Sequence, residues 1–388
     1  METVRIGIIG IGNIGSAHAS SVYEGKIEGM TLAALCDKDP KRAAELKELY
    51  PDVPVFEDAD EMMDSGLLDG VVIATPHYDH PVLAIRAFEK GLHVLTEKPA
   101  GVYCAKVREM VDAAKKSGKK FAIMFNQRTN KLFRKAKELM DSGELGEIKR
   151  SVWIITNWYR KQAYYDSGSW RASWAGEGGG VLMNQAPHNL DLWQWICGMP
   201  VEIWAHCDLG KYHDIEVEDD ATIFARFENG ATGVFITTTG EYPGTNRLEI
   251  AGSKGKLVLE NGRMTWTRLD MDEREFRQLP EAAKNTRTVE EFGDERYNGH
   301  QRILGNFARA ILYGEELVSP GEDGLCELTL CNAAYLSSWQ GRPVSLPMDD
   351  GEFYAELQKK IASSRGIRQT DGEHTEAGAY HNRWNTNW

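Results

Sequence analysis

The sequence predicts an α/β protein, with an N-terminal doubly wound parallel-sheet domain followed by an α+β domain on a large, mainly antiparallel open sheet. Three observations predict it. In the first third, short apolar runs alternate with amphipathic helical stretches, the pattern of a parallel sheet covered on both faces. The first of those runs leads straight into a glycine-rich turn. Beyond about residue 125, strand-like runs follow one another, several joined by two-residue turn signals.

In order, strands are expected at 4–9, 31–36, 70–74, 92–95 and 121–125, with helices at 14–23, 40–49, 59–65, 80–90 and 104–117. A helix at 132–141 opens the second part. Strands follow at 148–157, 201–209, 221–228, 231–238, 246–251, 255–260 and 263–268, with Asn229-Gly230 and Asn261-Gly262 marking hairpin turns. This reads as an antiparallel meander. Helices return at 300–313, 323–338 and 351–363. The division is therefore 1–125 for the first domain, 126–363 for the second and 364–388 for a C-terminal tail. That tail ends in aromatics (Tyr380, Trp384, Trp388) and is expected to dock on its own body or on a neighbour.

Residues 4–15 read VRIGIIGIGNIG, placing Gly10, Gly12 and Gly15 in G-x-G-x-x-G spacing between a strand and a helix. Gly10 permits the tight turn, Gly12 lets backbone approach a pyrophosphate, and Gly15 lets the helix pack close to the sheet. The anion would sit on free amides at the helix start, including those of Asn13 and Ile14. The second strand ends in Asp37, 22 residues past Gly15, where a carboxylate accepts the ribose hydroxyls of NAD and repels a 2′-phosphate. Lys38, Lys41 and Arg42 stand close enough to compensate in part. The expected cofactor is NAD, bound in a Rossmann domain.

At 388 residues, two domains are the natural expectation. A net charge of −13 argues against nucleic acid or an anionic membrane as partner. Six scattered cysteines without a C-x-x-C pair fit reduced thiols better than disulfides or zinc, and no apolar run is long enough to span a membrane. The first strand begins at Val4, so no signal peptide is expected and the location is read as cytoplasmic. The ten histidines show no metal-ligand spacing, and no metal is expected.

Three further segments carry candidate chemistry. Ala74-Thr75-Pro76-His77-Tyr78-Asp79-His80 follows the third core strand, at the carboxyl end where the cofactor crevice belongs. Thr75 can offer its hydroxyl to the ribose. Thr96-Glu97-Lys98-Pro99 follows the next strand, and Lys98 is placed to hydrogen-bond the oxygen of a hydroxyl undergoing oxidation. Residues 178–191 read GGGVLMNQAPHNLD. Asn184 and His188, four apart, share a face if they lie on one helix, and Asp191 would orient the imidazole. Pro187 either kinks that helix or opens it at its first turn; in the second case Asn184 sits in the preceding turn.

Taken together, the fingerprint, the A-T-P-x-x-x-H stretch, the E-K-P triplet and the G-G-G-x-x-x-[DN]-x-x-x-H-x-x-D segment resemble the Gfo/Idh/MocA oxidoreductase family over residues 4–260, including the IAGSKGKL run at 250–257. The resemblance implies that Lys98 contacts the nicotinamide ribose and the substrate hydroxyl. It implies that His188 is the general base, and that Trp170 and Arg171 lie against the nicotinamide end. Many members carry Asp where this chain has Asn184. An amide cannot titrate, which leaves Lys98 and His188 as the acid–base pair with Asn184 as a hydrogen-bonding neighbour.

The expected cofactor contacts are Gly10, Gly12, Asn13, Ile14, Gly15, Asp37, Thr75, Pro76, His77, His80, Glu97, Lys98, Gln127, Trp170 and Arg171. Substrate contacts are expected at Lys98, Asn126, Arg128, Trp158, Asn184 and His188, with Arg160 a further reader of hydroxyls. The aromatics of 153–174 either stack on a sugar or fill a core or subunit interface. The reading is an NAD-dependent oxidoreductase acting on a ring secondary alcohol of a sugar, glycoside or cyclitol. Two alternatives are a glycosidase or eliminase using tightly bound NAD for transient C3 oxidation, and a non-catalytic NAD sensor. The large open sheet is expected to pair copies of the chain into a dimer or tetramer.

Overall fold

The computed structural model describes residues 3–168, 170–295 and 298–365, so the aromatics of the C-terminal tail lie outside the described residues. The first part runs β1 (Val4–Ile9), α1 (Asn13–Tyr23), β2 (Met30–Cys36), α2 (Pro40–Leu49), β3 (Val55–Phe56), α3 (Ala59–Asp64), β4 (Gly70–Ile73), α4 (Asp79–Glu89), β5 (His93–Thr96), α5 (Cys104–Ser117) and β6 (Phe121–Ile123). These strands form one parallel sheet in the order β3-β2-β1-β4-β5-β6. Chain order reverses between β1 and β4, and this switch point opens the crevice at the strand carboxyl ends. The short β3 is absent from the strands the sequence predicts. With two residues it carries no readable periodicity.

A 3₁₀ turn (Asn126–Thr129) and α6 (Lys131–Asp141) lead to β7 (Ile148–Ile155), α7 (Gln162–Asp166), α8 (Val181–Asn184) and α9 (Pro187–Cys197). Then come β8 (Glu202–Leu209), β9 (Glu218–Arg226), β10 (Thr232–Thr238), β11 (Asn246–Gly252), β12 (Gly255–Glu260), β13 (Arg263–Leu269), α10 (Glu273–Phe276) and β14 (Arg287–Gly293). The chain closes with α11 (Gly299–Tyr313), α12 (Gly324–Gln340), β15 (Val344–Ser345) and α13 (Asp350–Ala362).

The second sheet has nine strands in the order β14-β13-β12-β11-β7-β10-β9-β8-β15. It is not the simple meander expected. β7 is inserted between β10 and β11 and runs parallel to β10, which makes the sheet mixed. The two hairpins form as read. β9 and β10 pair antiparallel around Gly230, and β12 and β13 pair around Asn261-Gly262, both of which have positive φ. Helices α6, α9 and α12 bury one face through Trp153, Trp193, Phe235, Leu328 and Tyr335. The other face leaves Trp204 and Phe224 exposed as a cross-strand pair with rings 5.8 Å apart.

A division at residue 125 does not partition the packing. Helix α11 returns to the first sheet, where Ile303, Leu304 and Phe307 pack with Val4, Ile6 and Ile8. Ser319 then accepts from the Ile123 amide beside β6. No helix among the described residues is long and apolar enough to cross a membrane, and the six cysteines are unpaired thiols.

Candidate active site

The fingerprint turn has the geometry its glycines allow. Gly10 has φ +86°, and a Cβ on Gly15 would lie 2.0 Å from the Gly10 carbonyl oxygen, so helix and turn touch backbone to backbone. A Cβ on Gly12 would meet nothing within 4 Å. Gly12, at the N-cap of α1, therefore faces open space, and no side chain caps the first turn, which Asn13 and Ile14 begin. Asp37 stands beside this turn. Its carboxylate accepts from the Ile11 amide at 2.8 Å and the Asp39 amide at 3.0 Å, leaving lone pairs for two further donors. Arg42 is held beside this turn, its Nε donating to Ile11 O (2.9 Å), its Nη2 to Ser16 Oγ (2.8 Å) and its Nη1 to the Glu45 carboxylate (2.9 Å). Across the crevice, beside the half-buried Pro76, the Thr75 hydroxyl is buried without a hydrogen-bond partner among the described residues. Open helix amides, a carboxylate with spare lone pairs and an orphaned hydroxyl are the features a dinucleotide requires.

Two expected cofactor contacts are occupied within the protein. The buried His80 ring spans the crevice floor, with Nδ1 2.8 Å from Pro99 O and Nε2 2.8 Å from Thr75 O. Both nitrogens lie against carbonyl oxygens; burial favours the neutral ring, which donates its one N–H to one of them, and His80 braces the two loops. Glu97 turns inward to His18 Nε2 at 2.8 Å and accepts from the Lys98 amide at 3.2 Å. Burial opposes its ionisation, but the His18 hydrogen bond and the nearby charges outweigh that and hold the carboxyl at about 2. Beneath it, His300 lies 5.7 Å from His18, ring to ring, and 3.4 Å from Asn126 Nδ2. Asn126 thus belongs to a buried polar layer under the Lys98 loop, with Gln127 buried in the same turn.

Lys98 follows β5 and precedes the cis-linked Pro99. Its ammonium donates to the backbone oxygen of Asn184 at 2.7 Å. Burial pushes its pKa down, against the charges of Glu97 and Glu327.

Asn184 and His188 do not share a helix. Pro187 is the first residue of α9, and Asn184 is the last of α8. Proline fits that first turn because its missing N–H has no intrahelical role there. The glycine run before α8 is set by packing: a Cβ on Gly180 would lie 1.9 Å from Glu218 O. The Glu218 carboxylate receives the Gly180 and Leu182 amides (2.9 Å each) and the Tyr335 hydroxyl (2.8 Å). His188 is buried, with Phe125 edge-on at 6.4 Å. Burial, then the Lys98 charge, pushes its pKa well below the ordinary imidazole value, so the ring is neutral at pH 7.

Asp191 does not orient His188, and Arg128 does not read substrate, because they hold each other. Arg128 donates from Nε (2.9 Å) and Nη2 (2.6 Å) to Asp191 and from Nη1 to Asp323 (2.5 Å), with both side chains of the Arg128–Asp191 pair 1% exposed. Trp158 is likewise a core residue at 1% exposure, and Trp153, Tyr165 and Trp174 are buried with it.

Trp170 and Arg171 sit at the crevice mouth. His77 meets the Trp170 ring at 5.3 Å and contacts Glu177 O through Nδ1 at 2.9 Å. The Arg171 guanidinium stacks on Trp170 (4.8 Å) and Tyr164 (4.7 Å) and donates to the Tyr164 hydroxyl at 2.8 Å. Gln185 donates to the same hydroxyl at 3.1 Å. Glu177 is the main residue that sequence reasoning missed, although it directly precedes the glycine run. Tyr164 stands out in the sequence only as one of many aromatics, and His18 and His300 carry no local signal. Among the described residues no group of three His, Cys, Asp or Glu is arranged to hold a metal.

The chain matches two family models. Residues 4–125 match one described as an oxidoreductase family with an NAD-binding Rossmann fold, and residues 133–258 match the GFO/IDH/MocA C-terminal domain. It is 28% identical to myo-inositol 2-dehydrogenase of Thermotoga maritima over 351 residues, covering 88% of this chain and 98% of that protein. Inositol 2-dehydrogenase of Rhizobium meliloti is 26% identical, with 89% of this chain and 99% of that one covered. Among solved structures, the WlbA dehydrogenase from Bordetella pertussis in complex with NADH and UDP-GlcNAcA superposes with a TM-score of 0.76. That match has 26% identity and covers 90% of this chain and all of the other.

Proposed function

The chain belongs to the GFO/IDH/MocA family of NAD-binding oxidoreductases, and from that premise we propose that it oxidises a ring secondary alcohol of a sugar, glycoside or cyclitol, with Lys98 and His188 as the acid–base pair. The observation that supports this reading most is the 2.7 Å bond from Lys98 Nζ to Asn184 O, which brings the amine to the joint between α8 and α9 that carries His188. The relatives' cyclitol substrates and the UDP-GlcNAcA held by the WlbA structure support the substrate class.

Bound NAD would supply the hydride acceptor. Its pyrophosphate would rest on the first turn of α1, with its ribose hydroxyls on Asp37. The residues of the chain handle the proton and the charge. A neutral His188 takes the hydroxyl proton. Lys98 spends one N–H on Asn184 O and keeps two for the oxygen, where negative charge develops. Burial strengthens that interaction by excluding water.

The test is incubation with NAD and a panel of sugars, cyclitols and glycosides, following reduced nicotinamide and product together. Reduced cofactor and ketone should form in equal amounts with at least one of them. If none reduces NAD, the reading fails; cleaved glycoside without reduced cofactor would instead indicate transient oxidation. We also propose that a second copy of the chain covers the outer sheet face at Trp204 and Phe224, which are 54% and 48% exposed.

A further inference from the structure

We propose that Glu177 is a positioning residue for this reaction, fixing the side-chain amide of Asn184 so that its oxygen faces the alcohol. The inference rests on the Lys98/His188 reading and deepens it at one residue.

Glu177 is 2% exposed and lies between the crevice-mouth pair and α8. Oε2 accepts from the Ala172 amide at 2.7 Å. Oε1 accepts from Asn184 Nδ2 and lies 3.6 Å from Arg171 Nη1. Burial raises the Glu177 pKa, but the Arg171 guanidinium, the Ala172 amide and the Lys98 charge oppose that and favour the carboxylate. An amide has one donor end and one acceptor end, and an ionised carboxylate only accepts. With Glu177 on one side, the NH₂ must point to it and Oδ1 must point away. No described residue donates to that oxygen, and Asn184 is only half-buried. The same residue's backbone oxygen holds Lys98 Nζ, so the presented amide stands beside the amine.

The consequence is a polarity filter. Next to Lys98, a donor, the site offers an acceptor. A polyol whose neighbouring hydroxyl can donate satisfies both, whereas a deoxy or methylated neighbour leaves Oδ1 unpaired. The Tyr164 hydroxyl, 3.5 Å from Asn184 Nδ2, receives N–H groups from Arg171 and Gln185, so its oxygen acts as an acceptor beside the amide.

The test exchanges carboxylate and amide. E177Q, N184D and the double variant E177Q/N184D are compared with wild type on the polyol that wild type oxidises best. NADH fluorescence titration and thermal midpoint report whether cofactor site and fold are kept. E177Q frees the amide to rotate and should lower kcat/KM about 10–100-fold, the loss of one charge-assisted hydrogen bond. N184D sets two carboxylates against each other and should lose at least as much. In the double variant the amide now at position 177 donates to the carboxylate now at position 184. The second oxygen of that carboxylate again accepts, and kcat/KM should recover about tenfold over either single variant. Such recovery is not expected of a merely structural Glu177. Wild-type kinetics in E177Q overturns the proposal, as does a double variant no better than the worse single with NADH binding and thermal midpoint intact. If E177Q does not fold, N184D decides: wild-type kcat/KM there would show that amide polarity is irrelevant, and a tenfold or greater loss would uphold it. A wild-type protein that oxidises no polyol removes the reading beneath the proposal before any variant is compared.

Discussion

Lys98 and Asn184, 86 residues apart, are joined by a 2.7 Å hydrogen bond from the ammonium to the backbone oxygen. This bond ties the loop after β5, in the dinucleotide-binding half, to the last residue of α8, one short turn ahead of His188 at the start of α9. The candidate acid and base therefore come from two separate layers, and this bond joins those layers at the site.

Lys98→Ala and His188→Ala should each lower kcat about 10²–10⁴-fold, the usual cost of removing a general acid or base. The NADH dissociation constant should stay within about threefold for His188→Ala, since the first turn of α1 and Asp37 remain (no more than about one hydrogen bond). Steady-state kinetics and fluorescence titration check this. Normal turnover in both variants would remove the assignment.

The pH profile of kcat/KM follows from burial. His188 is pushed well below its ordinary value, first by burial and then by the Lys98 charge, with Glu97 opposing. Activity should rise with pH through a midpoint below about 6.5, the unperturbed imidazole value. Lys98 is also lowered by burial, so activity should fall at high pH below the ordinary ammonium value of about 10.4. In Lys98→Arg the guanidinium does not titrate in this range, and the alkaline limb should disappear from whatever activity remains. A midpoint at or above the free imidazole value would contradict the account.

Asp37 should govern cofactor choice. Asp37→Ser should weaken NAD about tenfold and bring its affinity closer to that of NADP, because the ribose hydroxyls lose a charged acceptor and a 2′-phosphate is no longer repelled. Parallel titrations with both reduced cofactors measure it. An unchanged ratio would refute the role.

The Arg128–Asp191 pair is structural. Arg128→Leu leaves the buried Asp191 carboxylate uncompensated and should cost about 3–5 kcal/mol in urea unfolding. Replacing both, as Arg128→Met with Asp191→Leu, should recover most of that loss. A wild-type midpoint in Arg128→Leu would show that the pair contributes nothing.

The outer face of the nine-stranded sheet carries the Trp204–Phe224 cross-strand pair. Replacing both with Glu should shift the chain from oligomer to monomer in sedimentation or light scattering while leaving NADH binding intact. A monomeric wild type would exclude the interface.

What could be read in the chain was local. Gly10, Gly12, Gly15 and Asp37 announced a dinucleotide site because a tight turn, a close approach and a strand end each demand a residue type at a fixed spacing. Apolar periodicity likewise announced both sheets, and motifs contiguous in sequence singled out Lys98 and His188 as candidates. What depended on distant partners was not visible there. Asp191 lies three residues from His188 yet turns to Arg128, 63 residues back, because a buried guanidinium needs a carboxylate and spacing does not say which one it meets. Likewise, only the folded chain places β7 beside β10, returns α11 to the first sheet, and sets Glu177 against Asn184. These pairings are chosen by packing and by the need to satisfy buried polar groups, and neither constraint leaves a periodic trace in the sequence.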